Sequence, residues 1–171
     1  PPDDLPVALG AFLNAVVRRR SRLWMHVLDW DYSMMLAPDR EWFPHYKLEW
    51  TTPRRLCFRM DDHCPVGASH HQKVVVIDDR VAFAGGLDLT LGRWDTSEHR
   101  ADDERRRDLD ATIPQPYHDV QMAVSGPAAG ALGDLARERW RVATEQALRA
   151  PEAGRLEADP WPSELGIDVA D

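Results

Sequence analysis

The chain has 171 residues, a formal charge of −8, and 43% apolar and 29% charged residues. That is the length of one domain, enough to bury about 68–70% of the unfolded surface, with the composition of an ordinary globular protein. The acidic balance argues against a nucleic-acid partner, since polyanions are held by clustered cations, yet it leaves room for one small phosphorylated substrate in a locally positive pocket.

No run approaches the ~18 uninterrupted apolar residues of a membrane span. The opening PPDDLPVALGAF lacks the basic-then-apolar layout of a signal peptide. A cytoplasmic or peripheral-membrane location is therefore expected. Cys57 and Cys64 are the only cysteines and are expected as free thiols. Of the 21 basic residues 19 are Arg, leaving Lys47 and Lys73 as the only lysines, so each lysine asks for a reason.

In chain order, residues 5–19 place Leu9, Phe12, Leu13, Val16 and Val17 at helical spacing with a basic end, which predicts a helix. RLWMHVLDW, 22–30, reads as a short strand, followed by a helix near 32–42 and a second strand at 55–61. DHCPVGAS is a loop. HHQKVVVIDDRVAFAGG predicts a hairpin, with strands at 70–77 and 81–84 around a turn at Asp78-Asp79-Arg80. KVVVI is apolar on both faces, so the sheet is expected to be largely buried.

Residues 97–111 carry six acids and four arginines with almost nothing apolar, and predict a solvated excursion; the Arg105-Arg106-Arg107 run is read as part of that solvated face. A further strand is expected at 118–124. Ser125-Gly126-Pro127 then opens a helix whose apolar stripe is Leu132, Leu135, Ala136, Trp140 and Ala143. Residues 150–166 read as linker, and IDVAD at 167–171 as the start of another strand. Most of the seven tryptophans are expected in the core. The alternation of strands and helices predicts an α/β (α+β mixed) fold, a mixed sheet flanked by helices.

The chemistry concentrates in SHHQKVVVIDD. On a strand, residues two apart share a face, so His71 and Lys73 point the same way and His70 points to the other side, as a structural residue. An imidazole beside an ammonium costs stability unless an anion joins them. A phosphate satisfies both: Lys73 binds its oxygens and a neutral His71 attacks phosphorus, the positive neighbour favouring the neutral ring. Asp78, five residues on, is read as a carboxylate that orients the ring. Cys57, His63, Cys64 and His70 lack a common zinc spacing, so no metal is expected.

The pattern His71-x-Lys73-x4-Asp78, then six residues, then Gly85-Gly86-x-Asp88, resembles the HKD motif of the phospholipase D superfamily. It is closest to the first of the two motifs in phospholipase D enzymes, whose continuation is matched by Leu89, Gly92, Arg93, Trp94, Asp95 and Thr96. YHDVQMAVSGPAAGAL…RERW, containing His118, Asp119 and Trp140, is similar to a later segment of that family, and WDYSMMLAPDREWFP extends the likeness upstream, so that it covers most of residues 20–145. The widest form of the motif has Ser and Asn where this chain has Gly86 and Asp88, which reads as a subfamily mark.

The resemblance implies one half of a pseudo-two-fold pair, with residues 1–149 as the catalytic half and 150–171 as linker and the next strand. It implies a phosphodiesterase or phosphatidyltransferase that cleaves phospholipid head groups through a phosphohistidine, without cofactor or metal. His71 would be the nucleophile, Lys73 the phosphate clamp and Asp78 an orienting carboxylate. Asp88, Gly85 and Gly86 would lie against the substrate, with His118 and Asp119 behind them. No second His-x-Lys with its Asp occurs, so the second motif is expected in cis in a longer protein or from a second chain. The absence of an initiator Met and the strand starting at 167–171 favour the first. Peripheral membrane contact is expected. The rival readings are cardiolipin-synthase-like transfer and a non-catalytic domain that binds lipid or a protein partner.

Overall fold

A computed structural model of the chain describes residues 4–30, 53–65, 68–88, 93–106 and 115–152. The helix expected near 32–42, most of the linker from 150 and the strand at 167–171 fall outside the described residues. Contacts divide the chain into two units, one taking in Pro1–His70 and Val142–Glu145, the other His71–Arg141 and Gln146–Asp171.

In the first unit, α1 (Leu9–Arg19) ends on Arg18 and Arg19, cations placed where the helix dipole is negative. Its inward stripe closes on Val17, which is fully buried. Strands β1 (Met25–Trp30) and β2 (Leu56–Asp61) pair in parallel from Met25↔Leu56 to Trp30↔Asp61. The Arg55 guanidinium fastens the turn before β1 by donating to the carbonyls of Arg20 (2.6 Å) and Leu23 (2.9 Å). Asp61, at the end of β2, is buried and accepts the backbone N–H of His63 at 3.0 Å. His70 brings Nε2 to 3.4 Å from the same carboxylate and 3.1 Å from the His63 carbonyl. His70 is thereby a structural residue, tying the loop 62–70 to the strand end. Cys57 and Cys64 are free thiols.

The second unit holds an antiparallel sheet ordered β3 (Lys73–Ile77), β4 (Val81–Gly85), β5 (Gln121–Ser125). Asp78 (φ 52°) and Asp79 (φ 55°) both adopt the left-handed conformation in the three-residue connection 78–80, and Arg80 N–H bonds the Ile77 carbonyl at 3.0 Å. β3 begins at Lys73 rather than at residue 70. Its partner β4 ends at Gly85, directly opposite Lys73, so residues 70–72 have no ladder to join. The fold class is the expected mixed α/β one, with parallel pairing in one sheet and antiparallel pairing in the other.

Burial differs from the expectation. Val75 is 47% exposed and Ile77 53%, whereas Val81 and Ala82 are buried. The reason is position: among the described residues β3 pairs with β4 alone whereas β4 lies between β3 and β5, so the apolar run is shielded less than its composition suggests. Trp24 and Trp94 are likewise exposed, while Trp140 is in the core.

The helix α2 (Gly126–Thr144) keeps Trp140 of the expected stripe in the core but buries Ala129 and Gly133 with it. Leu135 and Ala136 face out. The shift follows from Gly133. A Cβ there would stand 2.0 Å from an Asp79 carboxylate oxygen, so only glycine lets the hairpin turn approach the helix. One turn along, Arg137 meets Asp79 in a pair of 2.8 Å contacts.

Candidate active site

Lys73 enters from the first position of β3, opposite Gly85, with only 14% of its side chain exposed. Its ammonium donates to the His71 carbonyl at 3.1 Å and pairs with Asp88 Oδ1 at 3.1 Å. The strand thus delivers the cation, and the chain leaving β4 returns a carboxylate to it two residues after Gly86. His71 lies just before the strand and is exposed. Its imidazole makes no hydrogen bond to a described residue.

Asp119 is the second carboxylate of this cluster. Tyr117 OH donates to its Oδ2 at 2.5 Å, and Val120 N–H to its Oδ1 at 2.7 Å. These bonds, the Tyr117 one foremost, hold the Asp119 carboxyl below the usual carboxylate range, with His118 and Lys73 adding positive charge nearby. The same bond raises the Tyr117 phenol above its ordinary value. The guanidinium of Arg93 stacks 4.7 Å from the centre of the Tyr117 ring.

Both glycines after the hairpin are explained by closeness of approach. A Cβ on Gly85 would lie 2.4 Å from the Val120 carbonyl oxygen, and one on Gly86 2.3 Å from Asp119 Oδ1. Gly86 therefore clears the space that the Asp119 carboxylate occupies. Gly86→Ala is expected to push that carboxylate aside, so that the Tyr117 phenol, relieved of its bond to Asp119, titrates lower than in the wild type; an unchanged Tyr117 titration would contradict this.

Asp78 is not in this cluster. It sits at the hairpin turn, at the opposite end of β3 from His71. Five residues of extended chain span roughly 16 Å, far beyond the reach of a ring-to-carboxylate hydrogen bond. Within this unit Asp78 shapes the turn; among the described residues Asp88 is the carboxylate paired with Lys73, and Asp119 lies near enough to feel its charge.

The loop after residue 92 holds what the sequence concealed. Asp95, with 4% of its side chain exposed, accepts four bonds: Thr96 N–H (2.8 Å) and Arg106 Nη1 (2.8 Å) on Oδ1, Tyr117 N–H (2.8 Å) and His99 Nδ1 (2.9 Å) on Oδ2. Arg106 is fully buried and also bonds the Arg100 carbonyl. That corrects the reading of Arg105-Arg106-Arg107 as a solvated face: Arg105 is exposed and paired with Asp103, Arg106 is the internal anchor of the loop, and Arg107 lies outside the described residues. A burial this specific requires a carboxylate 11 residues away, which no local pattern announces. The loop and the segment leading into β5 line an open pocket of about 440 Å³ whose wall includes Leu87, Arg93, His99, Tyr117, His118 and Asp119. His99 and His118 meet edge-to-face at 5.6 Å.

A sequence profile of the family described as Phospholipase D matches residues 59–159, more than half of the chain and all of the cluster around Lys73. Among curated proteins, phospholipase D1 of Homo sapiens is 41% identical over 70 residues, 41% of this chain and 5% of that protein. Phospholipase D delta of Arabidopsis thaliana is 38% identical over 100 residues, covering 44% of this chain and 11% of the relative. Phospholipase D1 of Saccharomyces cerevisiae is 35% identical over 121 residues, with 52% and 7% covered. The chain spans only about a tenth or less of the length of these relatives. With the hairpin, the Lys73–Asp88 pair and the glycines in place inside the matched segment, the chain belongs to the phospholipase D family.

Proposed function

We propose that this chain provides one half of a phospholipase D-type site, in which His71 and Lys73 act on the phosphodiester of a phospholipid head group. One observation carries the reading: a largely buried ammonium pairs with Asp88 and donates to the backbone carbonyl of His71, a residue that is itself exposed just before the strand. A phosphate oxygen enters such a site as an additional acceptor for Lys73, while His71 Nε2 approaches phosphorus.

The reaction runs in two displacements. His71 forms a P–N bond as the P–O bond to the head-group alcohol breaks, and the departing oxygen takes a proton from a general acid. Water or a second alcohol, losing its proton to that group, then attacks phosphorus and breaks the P–N bond, giving hydrolysis or phosphatidyl transfer. The general acid is the histidine of a second motif, supplied in cis or by a second chain. No described helix is long and apolar enough to cross a membrane, and the enzyme meets lipid as a peripheral protein.

Rapid acid-free quenching of the natural protein with phosphorus-labelled phospholipid tests this. The expected product is an acid-labile, base-stable label on the peptide containing His71, and residues 1–171 alone turn over little or no substrate. Label on another residue, or full turnover by the isolated chain as a monomer, would overturn the proposal.

A further inference from the structure

We infer that the pocket walled by Arg93, His99, Tyr117, His118 and Asp119 binds an oxyanion borne by the alcohol side of the substrate, a phosphate monoester or carboxylate on the head group. The inference rests on the phospholipase D reading of His71 and Lys73, and it narrows that reading to anionic head groups.

Position comes first. Asp119 belongs both to the cluster around Lys73 and to the pocket wall, so a phosphodiester held by Lys73 sends one of its ester arms toward the pocket. At about 440 Å³ the pocket matches a small polar moiety, being near the low end of ligand cavities. Apart from Leu87 its wall is built of charged, polar and ring-bearing side chains, which suits the head group better than an acyl chain as the arm that enters.

Charge comes second. The two carboxylates of the wall are already committed. Asp95 accepts four N–H donors, and Asp119 accepts Tyr117 OH and Val120 N–H with Lys73 close by. Arg93, by contrast, has no carboxylate partner among the described residues. Asp95 takes the Nδ1 side of His99, so Nε2 of that ring meets an oxyanion as a donor when it carries a proton. His118 stands 5.6 Å away, close enough for both rings to reach one anion.

Aromatic surface decides against the opposite chemistry. A quaternary ammonium is recognised by open aromatic faces. Tyr117 is the only benzenoid ring in the wall among the described residues, and the Arg93 guanidinium covers it. The neighbouring Trp94 ring is faced by Arg105 at 5.5 Å. A choline group entering here meets cations where it needs π-faces.

The test follows the imidazole resonances of His71, His99 and His118 in the natural protein at constant ionic strength, with inorganic phosphate and tetramethylammonium as the two probes. Phosphate is expected to shift His99 and His118, and Arg93→Gln to weaken that binding about tenfold, the loss of one charge-assisted hydrogen bond. Tetramethylammonium is expected to move neither ring. A phosphate response at His71 alone, a tetramethylammonium response at His99 or His118, or an Arg93→Gln variant that binds phosphate like the wild type each overturns the inference. A second arm compares kcat/KM on phosphatidylserine and phosphatidylcholine vesicles. Arg93→Gln is expected to cut the serine-over-choline ratio about tenfold, and an unchanged ratio defeats the assignment. Phosphate binding at His99 and His118 in a protein that cleaves neither lipid keeps the oxyanion site and overturns only the phospholipase reading.

Discussion

His71→Ala is expected, on the mechanism proposed above, to lower kcat for head-group release by on the order of 10⁴-fold or more, because it removes the atom that would form the covalent bond to phosphorus. The imidazole is exposed and, among described residues, unengaged, so its loss leaves no buried partner stranded and the fold should be intact. Thermal unfolding within a degree or two of wild type, alongside lost turnover, is therefore the expected pair of results. Lys73→Met provides the contrast. That ammonium stabilises charge rather than making a bond, and the loss of one such electrostatic contact costs about 10²–10³-fold. It also leaves Asp88 without its ion-pair partner and removes a positive neighbour of Asp119, so some stability should go with the activity. Assays on mixed-head-group vesicles with the natural protein separate the two. If His71→Ala retains more than a few per cent of wild-type kcat, the nucleophile lies elsewhere and the non-catalytic reading of this domain gains ground.

The parts legible in the sequence are those governed by short-range rules. An alternation of β-branched residues around Asp78-Asp79 can form little but a hairpin, and the His71-x-Lys73 spacing placed the cation at the strand end nearest the histidine. Gly85 and Gly86 were legible as important, but the contacts that demand glycine there come from residues 119–121, which no local pattern announces. What stayed hidden depends on contacts across distance. Asp78 looked like the partner of His71 since both flank one strand, yet strand length alone separates them, and the carboxylates that neighbour Lys73 arrive from β4's exit and the start of β5. The α2 stripe was displaced because Gly133 must accept Asp79, a contact 54 positions apart that helical periodicity cannot register. Arg106 lay in a run that reads as solvent-facing, and only its pairing with Asp95 turns it inward.

That pairing leads to the second large effect. Asp95→Asn is expected to lower the melting temperature at neutral pH by on the order of 10 °C, the scale of removing one partner from a buried ion pair in a domain of this size. The carboxylate receives two N–H donors on each oxygen, so the amide must turn its NH₂ toward one donor pair, either that of Arg106 and Thr96 or that of His99 and Tyr117. Whichever it faces, the loop 95–106 loses its internal anchor and His99 loses the group that orients it. The pH dependence distinguishes this account from a merely steric one. The His99 hydrogen bond, with those of Tyr117, Thr96 and Arg106, holds the Asp95 carboxyl far below its ordinary 3.8, and Arg105 brings Asp103 down to about 2. A carboxyl depressed in the folded state contributes stability that is complete above its unfolded value and is lost as pH falls through the folded one. Wild type should therefore lose stability steadily as pH drops from about 3.8 toward 2, while Asp95→Asn loses less over that range, so the gap between them narrows in acid. Melting curves at pH 7 and pH 2.5 that show the same gap would mean that the ionised Asp95 carboxylate is not what holds Arg106, His99 and Tyr117 together.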